Sequence, residues 1–481
     1  MAQLSEPTTV SADVDQRLGA VNLVLLGIGC IVGAGIYVVT GTAAANYAGP
    51  AVVLSFVLAG LACAPAAFCY AELASSFPVS GSAYSYTTNL FGPAAGWAVG
   101  WLLVLEYGVS AAGVSVGWSA SVASLLHDMG VAVPPALASA PLRFDASAGR
   151  LVTNPSLNIL AAAGILITSL SLASGLRRTA RFNAFVVFVK VGILLLFLAV
   201  ASWHVNPENW VPFIPENEGG SRFGVVGVVR GASAIFFSYI GFEAVSTAAA
   251  EARNPRRDVP IGILGALVAC IALYAGVAAV LTGIVPFRQL SGAAPLAFAV
   301  SKIGIPWFAL VIKVGAIAGL TSVMLVLLFG QSRVCLAMAA DGMLPRWLLM
   351  LSPNSGAPIA SITAIGIAAA IGAMLLPIEL VADLVSLGTA TAFAMVCLCT
   401  LKIRSLGIGR EGAFKAPGGR WLPIAGLAAS ALMMLPTLID IVQRASHGDG
   451  LPLVLLAAYL AVGAAIYVLN RSRVRSAGPS A

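Results

Sequence analysis

Residues 27–36 read Gly27-Ile28-Gly29-Cys30-Ile31-Val32-Gly33-Ala34-Gly35-Ile36, and residues 236–246 read Phe236-Phe237-Ser238-Tyr239-Ile240-Gly241-Phe242-Glu243-Ala244-Val245-Ser246. Both stretches lie inside long apolar runs. Glycine fills four of the ten positions of the first, and each weakens a helix by up to ~1 kcal/mol relative to alanine. The second carries a glycine and a carboxylate in mid-run. Close helix packing explains a glycine-rich membrane helix as readily as a break does, because small residues let backbones approach. The pair shifts the balance. Interruptions at corresponding places in two halves of a membrane protein point to a binding site built from broken helices.

The rest of the chain supports a membrane setting. Of 481 residues, 59% are apolar and only 9% charged, with mean hydropathy +0.96. Soluble domains carry about 25% charged residues, and disorder needs low hydrophobicity. A membrane barrel would show alternating segments of about ten residues, whereas these runs last about twenty. The reading predicts an all-α polytopic membrane protein with twelve spanning helices. Segments 1 to 12 are expected at 18–45, 50–77, 94–127, 155–175, 181–203, 224–250, 259–285, 305–340, 358–377, 380–402, 422–444 and 451–470.

The net charge of +7 does not imply nucleic acid, because the cations sit in short clusters between apolar runs. With the N-terminus inside, seventeen of the 26 Lys and Arg fall in cytoplasmic segments and seven in external ones, among them Arg143, Arg222, Arg230 and Arg288. That bias predicts both termini in the cytoplasm, and the inner membrane if the chain is bacterial. The seven cysteines are scattered through apolar stretches and suggest neither a disulfide framework nor a metal site. No cofactor is implied. The expected organisation is a cytoplasmic tail 1–17, a transport core 18–404, a basic linker 405–421, segments 11 and 12 over 422–470, and a tail 471–481.

A broken helix exposes backbone N–H and C=O groups at membrane depth, tolerable only where they line a cavity. The positive end of a half-helix suits a carboxylate and the carbonyl end an ammonium. Together they describe a zwitterionic amino acid. Ile31, Gly33, Ala34 and Gly35 are expected to hold its carboxylate, and carbonyls near Phe237, Ser238 and Ile240 its ammonium.

Several motifs resemble those of known amino-acid permeases: Leu26 to Tyr37, Cys69-Tyr-Ala-Glu-Leu73, Pro78-Val-Ser-Gly-Ser-Ala-Tyr84, Phe237 to Thr247, and Glu251-Ala-Arg-Asn-Pro-Arg-Arg-Asp-Val-Pro-Ile261. They resemble the amino acid–polyamine–organocation superfamily, in its branch of bacterial relatives of cationic amino acid transporters. The resemblance covers residues 17 to 470. It implies a five-plus-five inverted-repeat fold of the leucine-transporter type, with helices 1 and 6 discontinuous and segments 11 and 12 outside the repeat. The family often has Asp where Glu243 stands and a second acid where Ala250 stands.

Charges inside a membrane cost roughly 2.5–3.5 kcal/mol each and are functional by default. The candidates are Glu72, Glu106, Lys190, Glu243 and Lys313. Lys190 lies too far from either end of segment 5 to snorkel, and desolvation helps such a lysine to give up its proton. The resemblance implies that its ammonium fills the place of a sodium ion in sodium-coupled relatives. The plainer reading is an ion pair with Glu106 or a bond to segment 1 carbonyls. Glu106 fits a structural role or a place in the proton path, and Glu243 a half-helix cap or a substrate contact. Glu72 suits a loop anchor, and Lys313 snorkelling to the outer interface. Thr321 and Ser322 are possible hydroxyl partners for a cation, though such residues more often bond their own helix. Met324 and Phe237 could wall the substrate side chain, with Met324 limiting its size.

The expected activity is proton-coupled uptake of small or medium neutral L-amino acids. Partners are the amino acid, protons and membrane lipid. A cationic amino acid carrier, an exchanger and a sodium symporter are the alternatives. A membrane-embedded Ser–Lys hydrolase or an amino-acid sensor stands further off. The three histidines sit at segment ends or in loops, and neither a zinc-protease nor a P-loop motif occurs.

Overall fold

The computed structural model describes residues 18–476 except 34, 79–80, 146–149, 175, 250–251, 293, 354–355, 377, 409–410 and 447–449. Each of the twelve apolar segments is helical, and two are interrupted. Segment 1 runs as a helix over Ala20–Ile31, then turns extended at Val32 (φ −69°, ψ 97°). It resumes as a π-helical turn, Gly35–Val39, with a second π stretch at Ala44–Ala48. π-Turns of this kind recur at functional sites. Segment 6 is a helix over Gly224–Ile235, a 3₁₀ turn over Phe236–Tyr239, and a last short helix over Ala244–Thr247.

The other segments are continuous. Segments 2 and 3 span Val52–Ser76 and Pro93–Asp128, and segments 4 and 5 span Ile159–Ala173 and Leu176–Ala201. Segments 7 and 8 span Pro255–Ile284 and Pro306–Ala340. Segments 9 to 12 span Ile359–Leu375, Ile378–Leu406, Trp421–Ser446 and Leu451–Ser476. Among the described residues nine helices are long and apolar enough to cross a membrane. Ala20–Ile31, Ile159–Ala173 and Ile359–Leu375 are apolar but shorter than the about 20 residues a full crossing takes. The chain is thus a helical, multi-pass membrane protein. Its exception is an antiparallel hairpin, Leu142–Asp145 with Arg150–Thr153, between segments 3 and 4. Two short helices, Ser82–Phe91 and Pro295–Ile303, also fall between the expected segments.

Outward faces are apolar: Leu170, Phe188 and Leu469 are each about three-quarters exposed. Patches of that kind on so many helices require lipid around them. Segment 12 is held to segment 3 by aromatic side chains. Trp97 and Trp101 donate to the carbonyls of Gly463 and Tyr459, each at 3.1 Å, and the Trp101 and Tyr459 rings stack at 4.8 Å. In the first half of segment 1, Gly27 lies against segment 7 so closely that a Cβ would come 2.5 Å from that of Ala266. The glycine-rich run therefore serves packing at its start and the break further on.

Two charges differ from expectation. Arg230, counted as external, lies inside the first helix of segment 6, is buried, and stacks 4.9 Å from the Tyr47 ring. Lys313 does not snorkel. It pairs with Asp128 at the end of segment 3 at 2.5 Å, because a buried ammonium gains more from a carboxylate within reach than from extending past it. Glu72 does anchor a loop, the linker after segment 10: it pairs with Arg404 and accepts the Ala416 N–H at 2.8 Å. Outside the spans, Arg288 hydrogen-bonds Glu218 and holds its carboxyl below the usual range.

Candidate functional site

The two breaks touch each other. Gly241 adopts φ +125°, a conformation open to glycine, and a Cβ there would sit 2.6 Å from Cys30 Cβ. A Cβ on Gly35 would overlap the Ser238 side chain and lie 2.9 Å from Ser238 Cα. Tyr274 of segment 7 ties the breaks together, its hydroxyl donating to Ile31 O at 2.6 Å and reaching Ser238 O at 3.3 Å.

Between them lies a small cavity. Cys30, Ile31, Gly33 and Gly35 line it from segment 1, and Phe237, Ser238 and Ile240 from segment 6. Ala34, expected at the same place, is outside the described residues. Segment 3 contributes Ser110 and Val114, and segment 8 contributes Val323 and Leu327. Each is an i, i+4 pair on one helix face. Met324 was expected on this wall. It stands about 100° round the helix from Val323, is fully buried, and does not line the cavity. No charged side chain is among the lining residues.

Lys190 is fully buried below the first break. Its Nζ donates to Gly29 O at 2.5 Å and Val32 O at 2.9 Å. A positive charge thus caps the carbonyl end of the first half-helix, Ala20–Ile31, where the helix dipole favours it. Gly319 of segment 8 flanks the aliphatic stem, and a Cβ there would be 3.5 Å from it.

A model of the amino acid permease family matches residues 18–462. The methylthioribose transporter of Bacillus subtilis (strain 168) is 39% identical over 95% of this chain and 94% of its own length. A branched-chain amino acid permease of the same organism is 40% identical over 88% of this chain and 87% of its own. Cationic amino acid transporter 9, chloroplastic, of Arabidopsis thaliana is 39% identical over 84% of this chain and 69% of its own. The chain belongs to the amino acid permease family.

In this permease the remaining ionisable groups surround the cavity rather than line it. Glu243 is buried and its Oε2 accepts the Gly241 N–H at 2.7 Å, across the turn of the second break. Glu106 on segment 3 is fully buried. Neither of its carboxylate oxygens has a hydrogen-bond partner among the described residues. On segment 10 the Thr389 hydroxyl donates to Val385 O at 2.9 Å. Thr321 is occupied elsewhere. Its hydroxyl donates to Ile317 O at 2.8 Å and accepts from Trp118 at 3.0 Å, a tie between segments 8 and 3. Ser322 is fully buried in the same turn.

Sequence reading missed Ser110, Val114, Val323, Leu327 and Tyr274. The one available signal was a small polar residue at Ser110 within an otherwise small and apolar stretch, Gly108 to Val114. Tyr274 carries a direct expectation. Tyr274→Phe strands the Ile31 carbonyl in a buried place, which costs ~1–3 kcal/mol. The variant should unfold at lower temperature and gain less stability from added alanine. An unchanged melting curve would dismiss the tie.

Proposed function

We propose that this permease takes up small or medium neutral L-amino acids and couples the movement to protons. The supporting observation is the cavity at the two breaks, where backbone groups of both helices converge and no charged side chain lines the wall. Ile31, Gly33, Ala34 and Gly35 receive the substrate carboxylate. The carbonyls around Phe237, Ser238 and Ile240 receive its ammonium, and Val323 and Leu327 take the limiting role expected of Met324. Glu243 shapes the second break beside them. Lys190 is the proton-carrying group, with Glu106 as a second carboxylate in the proton path. Thr321 and Ser322 lie on the helix beside Lys190 and need not bind a cation themselves.

The architecture that goes with this reading has twelve spans with both termini cytoplasmic. Segments 1–5 and 6–10 form inverted repeats over 18–404, and a linker 405–421 leads to segments 11 and 12 over 422–470. The tails are 1–17 and 471–481. Alternating access then follows from rocking one group of helices about the fixed site.

A carrier of cationic amino acids is the second reading, favoured by the plant relative. It lacks a carboxylate at the cavity wall for a long cationic tail. Competition for uptake of labelled alanine into proteoliposomes separates the two. Unlabelled alanine should compete at least about tenfold better than arginine, since an unpaired charge in such a cavity is costly. A clear preference for arginine would reverse the assignment.

A further inference from the structure

Two hydroxyls at the cavity have no partner among the described residues. Ser110 comes from segment 3 and Ser238 from the second break, and both line the same small space. They are 4% and 3% exposed, and neither Oγ makes a hydrogen bond among the described residues. The neighbouring serines of segment 3 behave differently. Ser115, Ser119 and Ser121 all donate to backbone carbonyls, at 2.6, 2.9 and 3.0 Å. A buried hydroxyl left unsatisfied is destabilising, so two of them at one cavity call for a ligand that supplies the missing partner.

We propose that Ser110 and Ser238 read a polar atom on the substrate side chain, so that the site prefers hydroxyl-bearing amino acids, threonine and serine, over their apolar counterparts valine and alanine. This rests on the cavity being the substrate site of a neutral amino acid permease. The backbone of the breaks serves the carboxylate and ammonium common to all amino acids. Selectivity then falls to the wall. The side chains of Val114, Ile240, Val323 and Leu327 are all apolar, and an apolar pocket separates threonine from valine weakly. A serine hydroxyl donates one hydrogen bond and accepts others, which matches an alcohol on either count. A ligand without that alcohol leaves both hydroxyls unpaired, the arrangement that discriminates most strongly. Acidic or basic side chains find no opposite charge among the lining residues.

Threonine and valine are nearly the same shape, so their ratio isolates the hydroxyl. In wild-type protein, threonine should compete for labelled alanine uptake about tenfold better than valine, the worth of one buried hydrogen bond. Ser110→Ala should bring that ratio close to one, and Ser110→Thr, which keeps the hydroxyl, should retain most of it. The same ratio can be read as thermal stabilisation of the purified protein by each amino acid, which serves for a variant that folds without transporting. Equal competition by threonine and valine in wild type would overturn the proposal, as would an unchanged ratio in Ser110→Ala. Absence of alanine uptake by wild type would instead strike at the underlying assignment of the site.

Discussion

Lys190→Ala is expected to break the dependence of uptake on pH. In the structure the ammonium joins segment 5 to the carbonyls of Gly29 and Val32, at the edge of the first break. In the proposed mechanism the charged ammonium holds the first half-helix against segment 5, and loss of its proton weakens that hold so that the two helix groups can part. Protonation and access are then linked, because a proton that binds one state better shifts the balance toward it. Uptake by the wild type should rise as the outside is made more acidic. The variant should transport at a rate indifferent to pH, or not at all. It should remain folded: two carbonyls lose their donor at ~1–3 kcal/mol each, while removing a buried charge also removes its desolvation penalty. Sodium-dependent uptake with an unaltered pH profile in Lys190→Ala would defeat the proton mechanism and leave the permease assignment standing. Uptake measured against external pH in both proteins decides it.

Gly35→Val should abolish substrate binding. Any Cβ at this position overlaps the Ser238 side chain, and valine adds two more carbons. Overpacking of this kind costs ~1–3 kcal/mol. Here it forces apart the two breaks that shape the cavity, and the backbone groups that converge on the ligand no longer do so. Alanine should give the purified variant no thermal stabilisation, against a clear increase for the wild type. Gly35→Ala should lie between. Undiminished stabilisation of Gly35→Val would remove the proposed placement of the substrate.

What could be read from the sequence follows the physics that set it. Apolar segments about twenty residues long are dictated by the bilayer, and among the described residues nine helices are long and apolar enough to cross one. The breaks were legible because glycine runs and a mid-run carboxylate are unusual there. Rotation of the helices was not. Segment 8 is apolar on nearly every side, so no periodicity tells which face meets the cavity. Val323 and Leu327 could not be told from Met324 in advance. The same holds for Ser110, one small residue among many. Arg230 was counted as external although it falls within 224–250, and there its guanidinium has the Tyr47 ring to stack on. Partners brought together from distant segments, such as Tyr274 with Ile31 and Ser238, have no local signature at all.

Concentrative uptake is the most direct test of the central claim. Purified protein is placed in proteoliposomes without sodium, and labelled alanine is supplied outside at acid pH with a neutral interior. The account predicts accumulation of alanine above its external concentration, lost on adding a protonophore and unchanged by sodium. Accumulation driven by a sodium gradient alone, or no movement of alanine under either gradient, would contradict it.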